Sequence, residues 1–389
     1  MDDIISLHKA EYNREPAVIA TAPATVNLIG EHTDYNNGQV LEIAINRFLT
    51  VAISPREDQS LRFYSADLNE RKRTTLSNLK YKREDRWANY SKGVLFELVQ
   101  LGYQLPGVEI TISSSIPAGI GLGSSAALGV ATACAISHLL GANLSDFQII
   151  QSAAMAESAF MGIEQPLTDQ FVSTVARKNN IVLLDLHTLN YDYITFEPED
   201  VMLVLTASNV PNVSSYAELR ERRMKCGECV DLLRGRNVGN ELPAFTSDDL
   251  HNSMGVVPEE LRRICMHVVE ENERVTEAAD FLKRSDLVSF GKIMNRSHES
   301  LRDNYEVSCP EIDWLVKRAW EIDGVLGSRL TGPGFGGCTI SLLRKERLDE
   351  YREKIHEYDR IFGFSPDVFE VEIVSGVHPA TEFVRSVSA

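Results

Sequence analysis

The chain has 389 residues, 43% of them hydrophobic and 24% charged, a composition that supplies a real core and excludes wholesale disorder. At this length two domains, or one large one, are expected. Acidic residues outnumber basic ones 56 to 39, for a net charge of −17, which disfavours nucleic acid and anionic membranes as partners and leaves small anions to a local site built for them.

In chain order, the hydrophobic periodicity predicts a helix over Trp87–Leu101, a strand over Val108–Ile112, helices over Ser124–Leu140 and Ser145–Phe160, and strands over Ile181–Leu186 and Met202–Thr206. Helices follow over Ala217–Leu233, Pro258–Lys283, Asp286–Asn304 and Pro310–Ile322, then a strand over Cys338–Leu343, a helix over Lys345–His356 and a strand over Phe369–Val374. Strands and helices mix without a regular alternation, which favours an α+β architecture over a doubly wound sheet. A boundary is expected near Phe196–Asp200, where Pro198, Glu197, Glu199 and Asp200 separate two strand-like runs. The most apolar stretch, Ala126–Leu140, is shorter than the roughly 18 residues of a membrane span and reads as a packed core helix. Six scattered cysteines and an N-terminus (Met1-Asp2-Asp3-Ile4) without signal-peptide character point to a reducing cytoplasm. Cys226 and Cys229 form a C-x-x-C pair without a second ligand pair, so they read as thiols in a helix.

Four segments carry chemistry. Around Ile116 the chain reads I-P-A-G-I-G-L-G-S-S-A-A-L, with Gly119, Gly121 and Gly123 followed by Ser124 and Ser125 at the start of a predicted helix. Glycines let backbone N–H groups approach a ligand, the helix start adds free donors, and the serines add hydroxyls for phosphate or Mg²⁺. A tight turn for helix packing and a dinucleotide loop compete with this phosphate cradle. The dinucleotide reading fails because the residue at the required distance, Asp146, opens another helix rather than ending a strand. No Walker loop occurs. A second loop, Gly327–Cys338, has five glycines in twelve residues, more than a turn needs, so its backbone is expected to pass close to a ligand or to the first glycine loop. Near the N-terminus, A-P-A-T-V-N-L-I-G-E-H-T-D-Y-N-N-G places Glu31, His32 and Asp34 within four residues. Such a mixed polar set suits polyol hydroxyls better than a metal, with a solvated turn as the bland alternative. Glu157, on a predicted helix, and Asp169, on a predicted loop after Pro166, form the fourth; an acid in that position can accept a hydroxyl proton, though a lone Asp is usually a cap.

Together these segments resemble the galactokinase branch of the GHMP kinases, over nearly the whole chain from Val18 to Gly376. N-L-I-G-E-H-T-D-Y (27–35) resembles the branch's signature, P-A-G-I-G-L-G-S-S-A (117–126) the shared ATP loop, and L-T-G-P-G-F-G-G-C (330–338) the third motif. Weaker supports are W-A-N-Y-S-K-G-V (87–94), H-V-V-E-E-N-E-R-V (267–275) and S-L-R-D-N-Y-E-V-S-C (300–309). The resemblance implies a sugar 1-kinase that uses Mg²⁺ and ATP on a two-domain α+β fold. Its N-terminal half (1–197) would be like ribosomal protein S5 domain 2, its C-terminal half (198–389) ferredoxin-like, with the active site in the cleft between them. It further implies that Glu31, His32 and Asp34 hold the sugar, that Asp169 is the base at the anomeric hydroxyl, and that Ser125 and Glu157 hold Mg²⁺. Gly119, Gly121, Gly123 and Ser124 would wrap the phosphates, with Ser125 beside them, and Trp87 would lie near the adenine. Expected partners are the sugar and ATP, with no nucleic acid, no membrane and no second subunit.

The chain departs from the family pattern at four places. Thr25 stands where a cation is expected, Q-P-L-T-D-Q-F (165–171) puts Pro166 before Asp169, Leu219 replaces a tyrosine for which Tyr216, one turn earlier, is the candidate substitute, and Glu42 stands where many relatives carry proline. Either another cation, Arg222 or Arg223, reaches the site, or turnover is slow. Three readings remain open: a kinase for galactose, a kinase for a related amino sugar, uronic acid or pentose, or a sugar and nucleotide sensor with little catalysis.

Overall fold

The computed structural model describes residues 2–210, 215–233, 241–363 and 365–379. Helix α1 (Asp2–Tyr12) precedes a large mixed sheet of β1 (Val18–Ile29), β2 (Gln39–Arg56), β3 (Ser60–Ser65), β4 (Glu70–Thr75), β5 (Gly107–Ser114), β6 (Asn180–Asp185) and β7 (Tyr191–Thr195). The 18-residue β2 is its spine. β1 pairs with it on one side; on the other, Gln39–Glu42 pair with β6 and Leu49–Arg56 with β5. β3 runs parallel to β5, and the remaining ladders are antiparallel.

Helices α2 (Ala88–Gln100), α3 (Ser124–Leu140), α4 (Asp146–Met155) and α5 (Thr168–Val175) fall between β4 and β6. α3 is alanine-rich and buried from Ala126 to Ser137, and glycine lets it pack closely. A Cβ on Gly129 would sit 2.9 Å from that of Ala153 on α4. Along β1 and β2, Val26, Leu28, Leu41 and Ile43 belong to the main core. Strand alternation therefore turns Thr25, Asn27 and Glu42 to the opposite face. α5 covers part of that face by packing Phe171, Val172 and Val175 with Val40 and Ala44.

The chain leaves the first sheet after Thr195 and enters a second at Val201. This sheet contains β8 (Val201–Ala207), β9 (Val325–Thr331), β10 (Cys338–Arg344) and β11 (Asp367–Val371), antiparallel in the order β11-β8-β10-β9. Helices α6 (Ser215–Leu233), α7 (Ser247–His251), α8 (Glu259–Lys283), α9 (Leu287–Asp303), α10 (Pro310–Trp320) and α11 (Leu348–Phe362) complete this half. A last short strand, β12 (His378–Pro379), returns to the first sheet and pairs with Ala20 and Thr21 of β1. The fold is thus mixed α and β in two parts, each built on its own sheet.

α3 occupies its predicted span. The helix expected over Ser145–Phe160 instead changes to a π turn at Ala156–Phe160. Strands β1–β4, β7 and β9 lie outside the predicted strands. Asp169, expected on a loop, is the second residue of α5, and Gly327–Thr331, expected in a loop, form β9. All six cysteines carry free thiols, and Cys226 and Cys229 lie buried on α6.

Candidate active site

A cavity of about 400 Å³ opens where α3 and α5 meet the ends of β1 and β9. Its phosphate-like end is made by glycines. Gly119, Gly121 and Gly123 have φ of 75°, 79° and 62°, and Gly123 precedes α3 with no side chain capping the helix. The first intrahelical bond runs from Ala127 N–H to the Gly123 carbonyl, so the N–H groups of Ser124, Ser125 and Ala126 precede the helical ladder, at the positive end of the dipole. The second glycine loop braces the first: a Cβ on Gly332 would lie 3.2 Å from the Gly121 carbonyl oxygen, and one on Gly337 3.2 Å from that of Ile120. This close approach accounts for the glycine density read from the sequence.

Asp169 stands directly against this turn. A Cβ on Gly123 would lie 3.1 Å from the Asp169 carboxyl carbon and 2.9 Å from Thr25 Oγ1. The Thr25 hydroxyl donates to Asp169 Oδ1 at 2.7 Å. Burial raises the Asp169 pKa, with Thr25 and Glu42 opposing. Glu157 sits on the π turn, pressed by α2, where a Cβ on Gly93 would come within 2.6 Å of Ala156 Cβ. Burial pushes its carboxyl up to about 7, with Ser125 and Gln170 beside it, while its Oε1 is buried without a donor. A buried acceptor next to a serine hydroxyl and free helix donors fits a cation bridging to phosphate.

At the other end Glu31, His32 and Asp34 follow β1. Glu31 Oε1 accepts from the Gly332 N–H at 2.6 Å and lies 3.5 Å from Arg329 Nη2. Burial nevertheless pushes Glu31 up to about 8. Burial likewise raises Asp34 to about 6, opposed by its own backbone contacts and Arg223. His32 adopts φ 67° and stacks on Tyr305 with ring centres 4.6 Å apart. Burial holds its imidazole neutral. Its Nδ1 lies 2.9 Å from the Tyr35 hydroxyl, which also meets the Tyr305 hydroxyl, while Nε2 is buried without a partner. With Tyr35 donating to Nδ1, Nε2 carries the proton and is a donor held ready for a ligand oxygen.

All the predicted sugar, phosphate and metal residues line this one cavity. Trp87 does not: its indole N–H donates to Glu70 at 3.0 Å, while Tyr90, three residues further along, lines the cavity wall. The four departures, Thr25, Glu42, Pro166 and Leu219, also line the cavity. The Tyr216 side chain lies outside the described residues. Arg222 donates to the Tyr305 carbonyl and does not line the cavity. Arg223 lines it, stacked 4.4 Å over Tyr35, and among the described residues is its only cation. Sequence reading missed the support behind the sugar end. Arg329, fully buried, donates to Asn27, while Glu271 accepts from Gly30 N–H and is held down to about 2, against its burial, by Arg274, His267 and Arg329. Their motifs were visible, but nothing in a linear pattern shows that Arg329 crosses to β1.

Three family models match: the galactokinase galactose-binding signature over residues 6–55, the GHMP kinases N terminal domain over 89–177, and the GHMP kinases C terminal domain over 278–360. The chain is 36% identical to a galactokinase of Bacillus subtilis over 91% of this chain and 92% of that protein, and 38% identical to one of Thermotoga maritima over 92% and 98%. The chain belongs to the galactokinase family. Among solved structures, galactokinase from Lactococcus lactis complexed with galactose superposes with a TM-score of 0.93, at 29% identity, over 97% of this chain and 99% of that one. Mevalonate kinase from Methanococcus jannaschii, at 21% identity and TM-score 0.65 over 92% and 98%, shares the fold. The cavity brings the glycine turns and Asp169 together with Thr25, Glu42, Pro166 and Leu219, the positions read from the sequence as departures.

Proposed function

We propose that this protein transfers the γ-phosphoryl group of ATP to the anomeric hydroxyl of D-galactose, giving galactose 1-phosphate and ADP. The observation that carries this reading is the contact between Asp169 and the Gly123 turn, which sets a proton acceptor beside a phosphate cradle. Little covalent chemistry is asked of a phosphoryl-transfer enzyme; positioning and charge stabilisation dominate. Asp169 takes the proton from the sugar O1 as the O1–phosphorus bond forms and the bond to the β-phosphate oxygen breaks, its electron pair leaving with ADP. The donors of Ser124, Ser125 and Ala126 bind phosphate oxygens. Ser125 and Glu157 would hold Mg²⁺, which when bound would neutralise developing phosphate charge. His32 Nε2 and Asp34 bind sugar hydroxyls as donor and acceptor, and Glu31 orients the second glycine loop through the Gly332 N–H while facing the same space. The reading needs one chain, and we propose a monomeric cytoplasmic enzyme divided near residues 197–198.

A coupled ADP-release assay over galactose, galactosamine, galacturonate and arabinose tests the substrate. Galactose is expected to give the highest kcat/KM. Asp169→Asn is expected to lower kcat by about 10²–10⁴ with sugar binding retained. Turnover only with another sugar, or binding of galactose and ATP without ADP release, replaces this reading.

A further inference from the structure

We propose that Glu42 is a positioning residue that holds a proton and donates it in a hydrogen bond to Asp169, so that the base of this enzyme is a carboxyl pair rather than one carboxylate beside a cation. The inference uses the kinase reading above for the role of Asp169, but the pair itself stands on geometry. Glu42 lies in the middle of three strands, between Asn27 of β1 and Val182 of β6, and is 1% exposed. It lines one cavity with Thr25 and Asp169 and interacts with both. The single Thr25 hydroxyl proton is already directed to Asp169 Oδ1, and Glu42 Oε1 has no donor. Two carboxyls in contact within a buried site can share a hydrogen bond only when one carries a proton.

Among the described residues, no cation relieves the pair. Facing it from β1 and the turn after it are Glu31 and Asp34, and from the π turn Glu157, all acidic. Arg329 of β9 is engaged by Glu31 and Asn27, and Arg223 of α6 by the Tyr35 ring and the Glu164 carbonyl. β6 brings only Val182 and Leu184 to the neighbouring core. Burial and Asp169 both favour the protonated form of Glu42. The pair then carries one negative charge. Asp169 keeps a free lone pair for the sugar proton, after whose uptake the pair is neutral and later returns one proton to solvent. Glu42 thus supplies as a neutral donor what Thr25 cannot supply as a charge.

Glu42→Gln preserves a donor, while Glu42→Leu and Glu42→Met preserve only volume. Expected are turnover within about threefold of the parent for Gln, and a tenfold or larger loss for Leu or Met, with the KM for ATP unchanged and the acid limb of the kcat profile moved up by about one pH unit. Equal effects of Gln and the apolar variants on turnover and acid limb overturn the proposal. Difference infrared spectroscopy of the unliganded protein reads the proton without any turnover. Glu31 and Glu157 contribute protonated-carboxyl bands to both proteins, so a further component at neutral pH that the parent shows and Glu42→Gln lacks supports the pair, and identical bands in the two folded proteins refute it whatever the sugar proves to be.

Discussion

At the residue scale, the site around Asp169 is short of positive charge. Thr25 lies on the cavity-facing side of β1 beside the Asp169 and Glu42 carboxyls, so Thr25→Arg introduces a counter-charge where, among the described residues, no cation is paired with them. An adjacent arginine depresses a carboxyl pKa by about 1–3 units. The acid limb of the kcat profile is therefore expected to move down by at least one unit, because the deprotonated base is then available at lower pH. A titration of kcat against pH for parent and variant measures this, and an unmoved limb removes the charge-deficit argument. These residues were legible in the sequence as departures from a pattern; their meeting was not, because Thr25, Glu42 and Asp169 are brought together by strand register and by a helix start that the sequence reading placed in a loop.

At the scale of elements, helices were read more readily than strands. α3 shows its limits in Gly123 and Gly141, both at φ 62°, and α10 in Pro310 at its first position. β1 and β2 escape the alternation test because both faces are covered. Their residues are buried almost without interruption, and Asn27, Glu42 and Asn46 break the apolar runs. β9 was hidden by Gly327, whose hydrogen-only side chain has a packing cause. A Cβ there would lie 2.3 Å from the Gly291 carbonyl oxygen on α9, and one on Gly291 2.2 Å from that of Leu326. Since both obstacles are backbone, Gly291→Ala must push α9 away from β9 and is expected to cost about 3 kcal/mol in urea unfolding. A midpoint equal to the parent's contradicts this tight crossing.

For the molecule as a whole, stability depends on pH through groups of opposite behaviour. Burial lowers His8, held between Ser54 and Thr111, and His267 to about 4. A histidine kept neutral in the folded state leaves stability intact above pH 6.5. It removes stability as pH falls from 6.5 towards 4, because the unfolded chain takes the proton first. Asp34, Glu157 and Glu31, raised to about 6, 7 and 8, act in the opposite sense, losing stability as pH rises above the ordinary carboxylate range. The clean measurement is a difference. His8→Gln lies outside the cavity, so kcat is expected to stay at the parent value while the slope of unfolding free energy between pH 6.5 and 4 changes by close to one proton. An identical slope in both proteins shows that His8 titrates alike in the folded and unfolded chains.

The return of β12 to β1 has a consequence for synthesis. Residues 378–379 pair with Ala20 and Thr21, and Ile373 bridges to Ile45, so the partner for one flank of the earliest-made strand is among the last of these segments to be translated. While the ribosome is still building the second half, that flank of β1 is an open hydrogen-bonding border on the nascent polypeptide, the kind of border that recruits stray strands. Late-stage ribosome-bound chains are thus the form of this enzyme most in need of chaperone cover.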